Sequence, residues 1–158
     1  SISPTGFQWF DLMDQSPDQI LAKSIIAEMK LNKLIDEVKN FYEFSSKQIA
    51  LGGFSQGCML ILQTALKRKD EIKCVIGYSG KILDKDHLGS NINSKPEILL
   101  MHGDKDEVVP VSFLLEAKEF FNLKEYSIKT KVFKNCEHRI PSEGSSLGLE
   151  FIKRNLYD

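Results

Sequence analysis

The sequence predicts an α/β protein with a mostly parallel sheet and helices on both of its faces. Short apolar runs alternate with longer segments in which apolar residues recur at helical spacing. Strands that alternate with helices pair in parallel, because each helix returns the chain to the start of the next strand. The 158 residues suffice for one hydrophobic core but not for two ordinary domains. We therefore expect a single domain over residues 1–158.

The first long helix is predicted to begin after Ser16. Ser16, Pro17 and Gln19 supply a capping hydroxyl, a proline suited to the first helical position and the second half of a capping box. Apolar residues then recur at helical spacing: Leu31, Leu34, Ile35, Val38 and Phe41. We expect this face to cover the sheet.

Four short apolar runs are predicted to be strands, at residues 49–52, 74–78, 98–101 and 128–133. Helices are predicted at 56–69 and 114–121, and a last one opens at Ser142. In a parallel sheet the reactive loops lie at the carboxyl ends of the strands. A site is therefore expected in the loops that follow these runs.

Residues 53–57, Gly-Phe-Ser-Gln-Gly, follow the first predicted strand and precede a helix, which is the setting of a nucleophile elbow. The glycines let strand and helix approach closely around a serine held at a sharp turn. This predicts Ser55 as a nucleophile and the backbone amide of Gln56 as an oxyanion donor at a helix N-terminus. A tight structural turn is the alternative interpretation.

A serine nucleophile needs a base, and the base needs an acid to orient it, in the chain order Ser, acid, His. Asp106 is the preferred acid and Asp104 the alternative, since spacing alone does not separate two carboxylates in one loop. His138 lies between the last strand and the last helix, so it is the predicted base. His87 falls in a predicted polar loop. His102 ends a strand and is expected to hold the acid loop by hydrogen bonds.

With these residues assembled, the sequence resembles the phospholipase/carboxylesterase family, which includes acyl-protein thioesterases and small bacterial carboxylesterases. The likeness rests on the elbow at 51–57, the acid loop at 102–110, a tryptophan-containing loop at 7–11 and the histidine segment at 136–138. The resemblance implies an α/β-hydrolase fold and favours Asp106 over Asp104.

The sequence departs from the pattern of this family in two respects. Cys58 stands where many relatives have glycine or alanine, and we expect a thiol to be tolerated there. Relatives also begin with additional strands and a His-Gly-x-Gly loop that supplies a second oxyanion amide. We expect an N-terminally truncated version of the fold, in which losing one donor costs about 2.7–4 kcal/mol of transition-state stabilisation.

The expected truncation exposes an apolar sheet edge beside the strand that leads to Ser55. We expect this edge to be covered by more of a longer chain or by a second copy in a homodimer. If neither covers it, the protein is expected to be poorly soluble.

The predicted function is hydrolysis of carboxylic esters or thioesters through an acyl-enzyme on Ser55, with no cofactor or metal required. The substrate is expected to be a small-molecule or lipid ester. Trp9, Phe10 and Phe113 are candidates for lining an acyl site, with core packing as the alternative for each. One rival hypothesis is an inactive or crippled hydrolase remnant that serves as a binding or dimerisation module. Another is a flavodoxin-like or receiver-type domain, which leaves the Ser, Asp, His order unexplained.

Composition and charge exclude further classes of function. A net charge of -1 disfavours nucleic-acid binding, and no apolar run approaches a membrane span. Cys58, Cys74 and Cys136 lack the spacing of a disulfide framework or a zinc site. These features, together with the absence of an export signal in the sequence as given, predict a cytoplasmic location.

Overall fold

The structure is a computed structural model that describes residues 7–13 and 15–157. Four parallel strands form one sheet in the order β1, β2, β3, β4. The strands are Ala50–Phe54 (β1), Cys74–Tyr78 (β2), Glu97–Gly103 (β3) and Lys129–Phe133 (β4). The helices are Pro17–Tyr42 (α1), Gln56–Lys67 (α2), Lys85–Ser90 (α3), Ser112–Leu123 (α4) and Ser142–Tyr157 (α5), and a 3-10 turn spans Ser46–Gln48.

Helices lie on both faces of the sheet, which confirms the predicted fold class. Consecutive strand residues point to opposite faces, so Val75 and Ile98 join the core under α2 and α4, while Ile76 and Leu99 join the core under α5. Fully burying one such side chain contributes about 1.5–3 kcal/mol. The two apolar layers therefore hold the sheet between α5 and the other helices.

Helix α1 starts as predicted but packs differently along its length. Ser16 Oγ accepts from the Gln19 amide and Gln19 Oε1 accepts from the Ser16 amide, which completes the capping box. The buried residues of α1 are Ser24, Ala27, Glu28, Leu31 and Ile35. The prediction was wrong for Leu34 and Phe41, which are 50% and 80% exposed. The reason is that α1 packs chiefly on α2, so a narrower stripe is buried than a whole sheet face would require.

The strand register brings three distant loops to one edge of the sheet. Phe54 lies opposite Tyr78, Tyr78 opposite Met101, and Gly103 opposite Phe133. The segments that follow β1, β3 and β4 therefore emerge side by side at the carboxyl edge. None of the helices among the described residues is long and apolar enough to span a membrane.

Candidate active site

Ser55 lies at the tip of a one-residue turn between β1 and α2. Its φ of 52° lies in the left-handed region that non-glycine residues avoid, at a cost of about 1–3 kcal/mol. The turn is held because the Ser55 amide donates to the carbonyl of Tyr78 at 2.8 Å. A Cβ on Gly53 would lie 2.6 Å from the carbonyl of Gly57, so only glycine permits this close approach of strand to helix. The local geometry is that of a nucleophile elbow.

The three predicted catalytic residues come together at the carboxyl edge of the sheet. His138 Nε2 lies 3.1 Å from Ser55 Oγ, and His138 Nδ1 lies 2.8 Å from Asp106 Oδ2. Because a carboxylate only accepts, Nδ1 carries the proton in the neutral ring and Nε2 accepts from the serine hydroxyl. The ring of Phe54 packs beside the imidazole, with 4.7 Å between centroids. This arrangement orients His138 to take a proton from Ser55.

The Asp106 side chain is fully buried, and both of its oxygens are occupied. Oδ1 accepts from the amides of Val108 at 3.0 Å and Val109 at 2.8 Å, which leaves Oδ2 for His138. Burial alone would raise the pKa of this carboxyl, but the hydrogen bonds from His138 and the two amides outweigh it and lower the pKa below 3.8. Asp106 is therefore ionised at neutral pH.

Asp104 is the residue that spacing alone could not separate from Asp106, and it does not reach His138. Its amide donates to the carbonyl of Phe133, which continues the pairing of β3 with β4. Its exposed side chain accepts only a long contact, 3.4 Å, from the amide of Cys136. The side chain therefore supports the turn between the two loops and lies away from the hydrogen bonds that join Ser55, His138 and Asp106.

Of the other two histidines, His102 lies beside the acid, with its Nε2 3.4 Å from Asp106 Oδ2. His102 is buried, donates from Nε2 to the carbonyl of Val109 at 2.7 Å, and so makes the loop contact expected of it. The prediction of a loop around His87 was wrong, because Asp84 accepts from the His87 amide and caps helix α3 there. His87 Nε2 lies 3.2 Å from Lys67 Nζ on α2.

Gln56 presents the first amide of α2, which the helix geometry leaves without an intrahelical partner. Since the Ser55 amide already donates to Tyr78, the Gln56 amide is the nearest elbow donor for an oxyanion. The side chain of Gln56 reaches away from the helix to the backbone of Trp9 and Phe10. No sequence pattern indicated this second set of contacts, because it joins residues 46 and 47 positions apart.

Cys58, which stands where many relatives have glycine or alanine, is accommodated by its neighbours. Its thiol packs against Gly77 and Gly80, where an added Cβ would come within 2.4 and 2.5 Å of the sulfur. The space that the thiol needs is therefore supplied by two glycines on the neighbouring strand and loop. Burial raises the pKa of the Cys58 thiol to about 12, so it remains protonated and unreactive at neutral pH.

The three aromatic candidates for an acyl site lie in different environments. Phe10 is 5% exposed and belongs to the core, whereas Trp9 is 47% exposed. Phe113 is half-buried at the start of α4, and Lys81 Nζ lies 4.9 Å from the centre of its ring. Core packing thus accounts for Phe10, while Trp9 and Phe113 keep surface available to a ligand.

An open groove of about 490 Å³ lies beside His138. It is lined by Lys105, Glu107, Val108, Glu137 and His138. The imidazole is therefore accessible to a group that enters from this side. Within residues 7–13 and 15–157, no group of three or more His, Cys, Asp and Glu side chains is arranged to hold a metal ion.

Comparison with known proteins identifies the family of the chain. Residues 3–156 match the phospholipase/carboxylesterase family. The chain belongs to this family. Acyl-protein thioesterase 1 of Saccharomyces cerevisiae is 32% identical to this family member over 94% of the chain and 68% of the yeast protein. Acyl-protein thioesterase 1 of Kluyveromyces lactis is 28% identical over the same shares.

Solved structures agree on the fold of this phospholipase/carboxylesterase family member. Esterase PE8 superimposes with a TM-score of 0.89 at 30% identity, covering 97% of this chain and 72% of PE8. SOBER1 of Arabidopsis thaliana superimposes with a TM-score of 0.83 at 21% identity, covering 94% of this chain and 74% of SOBER1, and shows the fold alone. The chain is a hydrolase with the α/β-hydrolase fold.

Proposed function

We propose that this hydrolase cleaves carboxylic esters or thioesters by acyl transfer through Ser55, with His138 as base and Asp106 as orienting acid. One observation carries the proposal: an unbroken hydrogen-bonded path runs from Ser55 Oγ through the His138 ring to Asp106, with distances of 3.1 and 2.8 Å. The strained elbow supports it, because the strain holds the hydroxyl at the end of that path.

In the first step, Ser55 Oγ attacks the substrate carbonyl carbon while its proton moves to His138 Nε2. The electron pair of the carbonyl moves onto its oxygen, which accepts a hydrogen bond from the Gln56 amide at the positive end of α2. The ionised Asp106 stabilises the imidazolium that forms, since it accepts from Nδ1.

The tetrahedral intermediate then collapses and the bond to the leaving oxygen or sulfur breaks. The leaving atom takes the proton from His138 Nε2, and the acyl group stays on Ser55 as an ester. A water molecule then hydrolyses this ester in the same way. His138 removes a proton from the water, and the resulting hydroxide adds to the carbonyl carbon. Ser55 Oγ then leaves and takes the proton from His138. Water is the only co-reactant that this balance requires.

The proposal is tested by labelling with a fluorophosphonate probe, which forms a covalent bond to an activated serine. The wild-type chain should be labelled at Ser55 and should hydrolyse short nitrophenyl esters. Ser55→Ala should lose both properties, because no other hydroxyl lies at the end of the path. Ser146→Ala, on the exposed side of α5, is the matched control and should keep both. Labelling that survives Ser55→Ala would contradict the assignment.

We propose a small-molecule or lipid ester as the substrate, with thioesters as the second class. The thioester class is supported by relatives that carry the name acyl-protein thioesterase. Paired oxygen and sulfur esters of one acid separate the two classes by their kcat/KM. The rival hypothesis is an inactive or crippled remnant that works as a binding module. A product burst followed by slow turnover would indicate a crippled enzyme, whereas neither burst nor turnover would support an inert scaffold.

We also propose a cytoplasmic setting, which the three free, buried thiols at Cys58, Cys74 and Cys136 support.

For the assembly, we propose that a second copy of the chain can pair along β1. Among the strands of the described residues, β1 and β4 each have a neighbour on one side only, and an apolar groove lies beside β1. Edge strands of this kind present unpaired backbone groups to another chain.

A further inference from the structure

We propose that the Gln56 side chain is a positioning residue that fastens the Trp9–Phe10 backbone to the nucleophile elbow and so forms one wall of the acyl site. This inference rests on the proposed function, because an acyl site exists only if Ser55 carries an acyl group. It concerns the side chain of Gln56, whereas the oxyanion role concerns the backbone amide of the same residue.

The contacts join one side-chain amide to the backbone of two consecutive residues. Gln56 Oε1 accepts from the amide of Trp9 at 2.6 Å and, at 3.4 Å, from the amide of Phe10. Gln56 Nε2 donates to the carbonyl of Phe10 at 2.6 Å. Glutamine can do this because its amide carries an acceptor and a donor side by side, as a neighbouring strand would.

The fastened segment has a buried anchor and an exposed tip. Phe10 is 5% exposed and lies in the core. Asp11 Oδ2 lies 3.8 Å from Nζ of Lys23 on α1. Trp9 directly precedes this anchor and is 47% exposed. The Gln56 contacts therefore hold the Trp9 backbone, while much of the indole remains available at the surface beside the residue that follows Ser55.

The position of His138 indicates which part of a substrate meets this segment. His138 must return its proton to the leaving atom, so the leaving group lies toward the 490 Å³ groove that contains the imidazole. The acyl chain then extends away from His138. Trp9 is bonded to Gln56 through its backbone amide, and its indole is 47% exposed. Contact with apolar surface increases as an acyl chain lengthens. We call the hydrogen bonds between the Gln56 side chain and the Trp9–Phe10 backbone the latch. The latch should favour long acyl chains over short ones.

Two substitutions break the latch in different ways. Gln56→Glu keeps the size of the side chain but places a second oxygen against the Phe10 carbonyl, where a donor is required. Gln56→Met keeps the length and removes both the donor and the acceptor. Gln48→Glu is the control, because it makes the same charge change at a residue whose Oε1 accepts from the amide and hydroxyl of Ser45 and whose Nε2 donates to no described residue.

Trp9 is the single tryptophan of the chain, so its fluorescence reports on the latch without any substrate. Acrylamide quenching should rise toward the value of the unfolded chain in Gln56→Glu and Gln56→Met, and should stay at the wild-type value in Gln48→Glu. Unchanged quenching in both Gln56 variants would overturn the latch. If Gln56→Glu does not fold, as judged by circular dichroism, Gln56→Met decides.

Hydrolysis of nitrophenyl acetate and octanoate then tests the acyl wall. The octanoate-to-acetate ratio of kcat/KM should fall about tenfold in the Gln56 variants, mainly through KM for octanoate, since several hydrogen bonds are lost. Trp9→Ala should lower the ratio similarly, and adding Gln56→Met to it should lower the ratio no further.

A ratio that stays at the wild-type value while quenching rises would overturn the role in acyl binding. Wild-type chain that hydrolyses neither ester would contradict the proposed function and the acyl wall together. Quenching would still decide the latch in that case, so the two failures are distinguishable.

Discussion

Asp104 and Asp106 stand two positions apart in one loop, yet only Asp106 lies within hydrogen-bond distance of His138. The difference arises because the Asp104 amide still pairs with β4, whereas the chain turns at Asp106 and its carboxylate accepts the amides of Val108 and Val109. An acid that holds one tautomer of a base must be fixed in this way.

Replacing either aspartate by its amide tests this difference directly. Asp106→Asn should lower kcat by about 10³–10⁴-fold, because an amide nitrogen facing Nδ1 favours the wrong imidazole tautomer. Asp104→Asn should stay within a few-fold of wild type. Steady-state kinetics on a nitrophenyl ester provide the measurement. Equal losses in the two variants would contradict Asp106 as the orienting acid.

Helices α1 and α2 are joined by buried charge as well as by apolar contact. Arg68, the residue directly after α2, donates to Asn32 and Asp36 on α1 and to Asp70. Lys39 on α1 also donates to Asp70. Burial acts to raise the pKa of Asp70, but the hydrogen bonds from Arg68 and Lys39 outweigh it and lower the pKa from 3.8 to about 2.

This shift predicts a pH-dependent contribution to stability. The folded-state pKa lies below the unfolded value, so the contribution is complete above about pH 4 and declines as the pH falls toward 2. Asp70→Asn should lower the free energy of unfolding by about 1 kcal/mol at pH 7, a value reduced for the 39% exposure of this side chain. Urea denaturation between pH 3 and 7 should show the difference from wild type shrinking below pH 4.

The control for that experiment is Glu119→Gln, a change at an exposed position on α4. Its unfolding free energy should follow that of the wild type across the range. A difference between Asp70→Asn and wild type that stays constant down to pH 3 would contradict the ion-pair explanation.

Of the two edge strands in the described sheet, β1 is the one beside which an apolar groove lies. An apolar groove of about 330 Å³ runs beside it on the α5 face, lined by Gly52, Ile76, Tyr78, Ile140, Ser145, Gly148, Leu149 and Ile152. A Cβ on Gly52 would meet no atom within 4 Å, so this side of β1 has space for a partner. Apolar surface next to an unpaired strand edge favours association.

We therefore expect the 158-residue chain to self-associate with rising concentration, as measured by size-exclusion chromatography with light scattering. Gly52→Lys places a charge on the edge without a steric clash and should shift the population to monomer. Asn122→Lys makes the same charge change on α4 and should leave the association unchanged. A wild-type chain that stays monomeric throughout would contradict pairing along β1.

Local sequence patterns were sufficient for the order of the four strands and of the helices α1, α2, α4 and α5, but not for the short helix α3, which was predicted as a loop. The capping box at Ser16 and the apolar runs of the strands are local signals, and the bounds in the structure differ from the predicted ones by a few residues at most. The glycine at position 53 was also predictable from the sequence, because the close approach of β1 to α2 leaves no space for a side chain there, whereas a Cβ on Gly57 would meet no atom within 4 Å.

The tertiary structure decided what depends on residues far apart in the chain. The parallel register placed the loops after β1, β3 and β4 at one edge, and only there does the choice between Asp104 and Asp106 acquire a physical basis. Packing of α1 on α2 exposed Leu34, and a side-chain amide from α2 fastened the backbone at Trp9. Periodicity encodes which face of an element is apolar, but only the assembled neighbours determine which part of that face is buried.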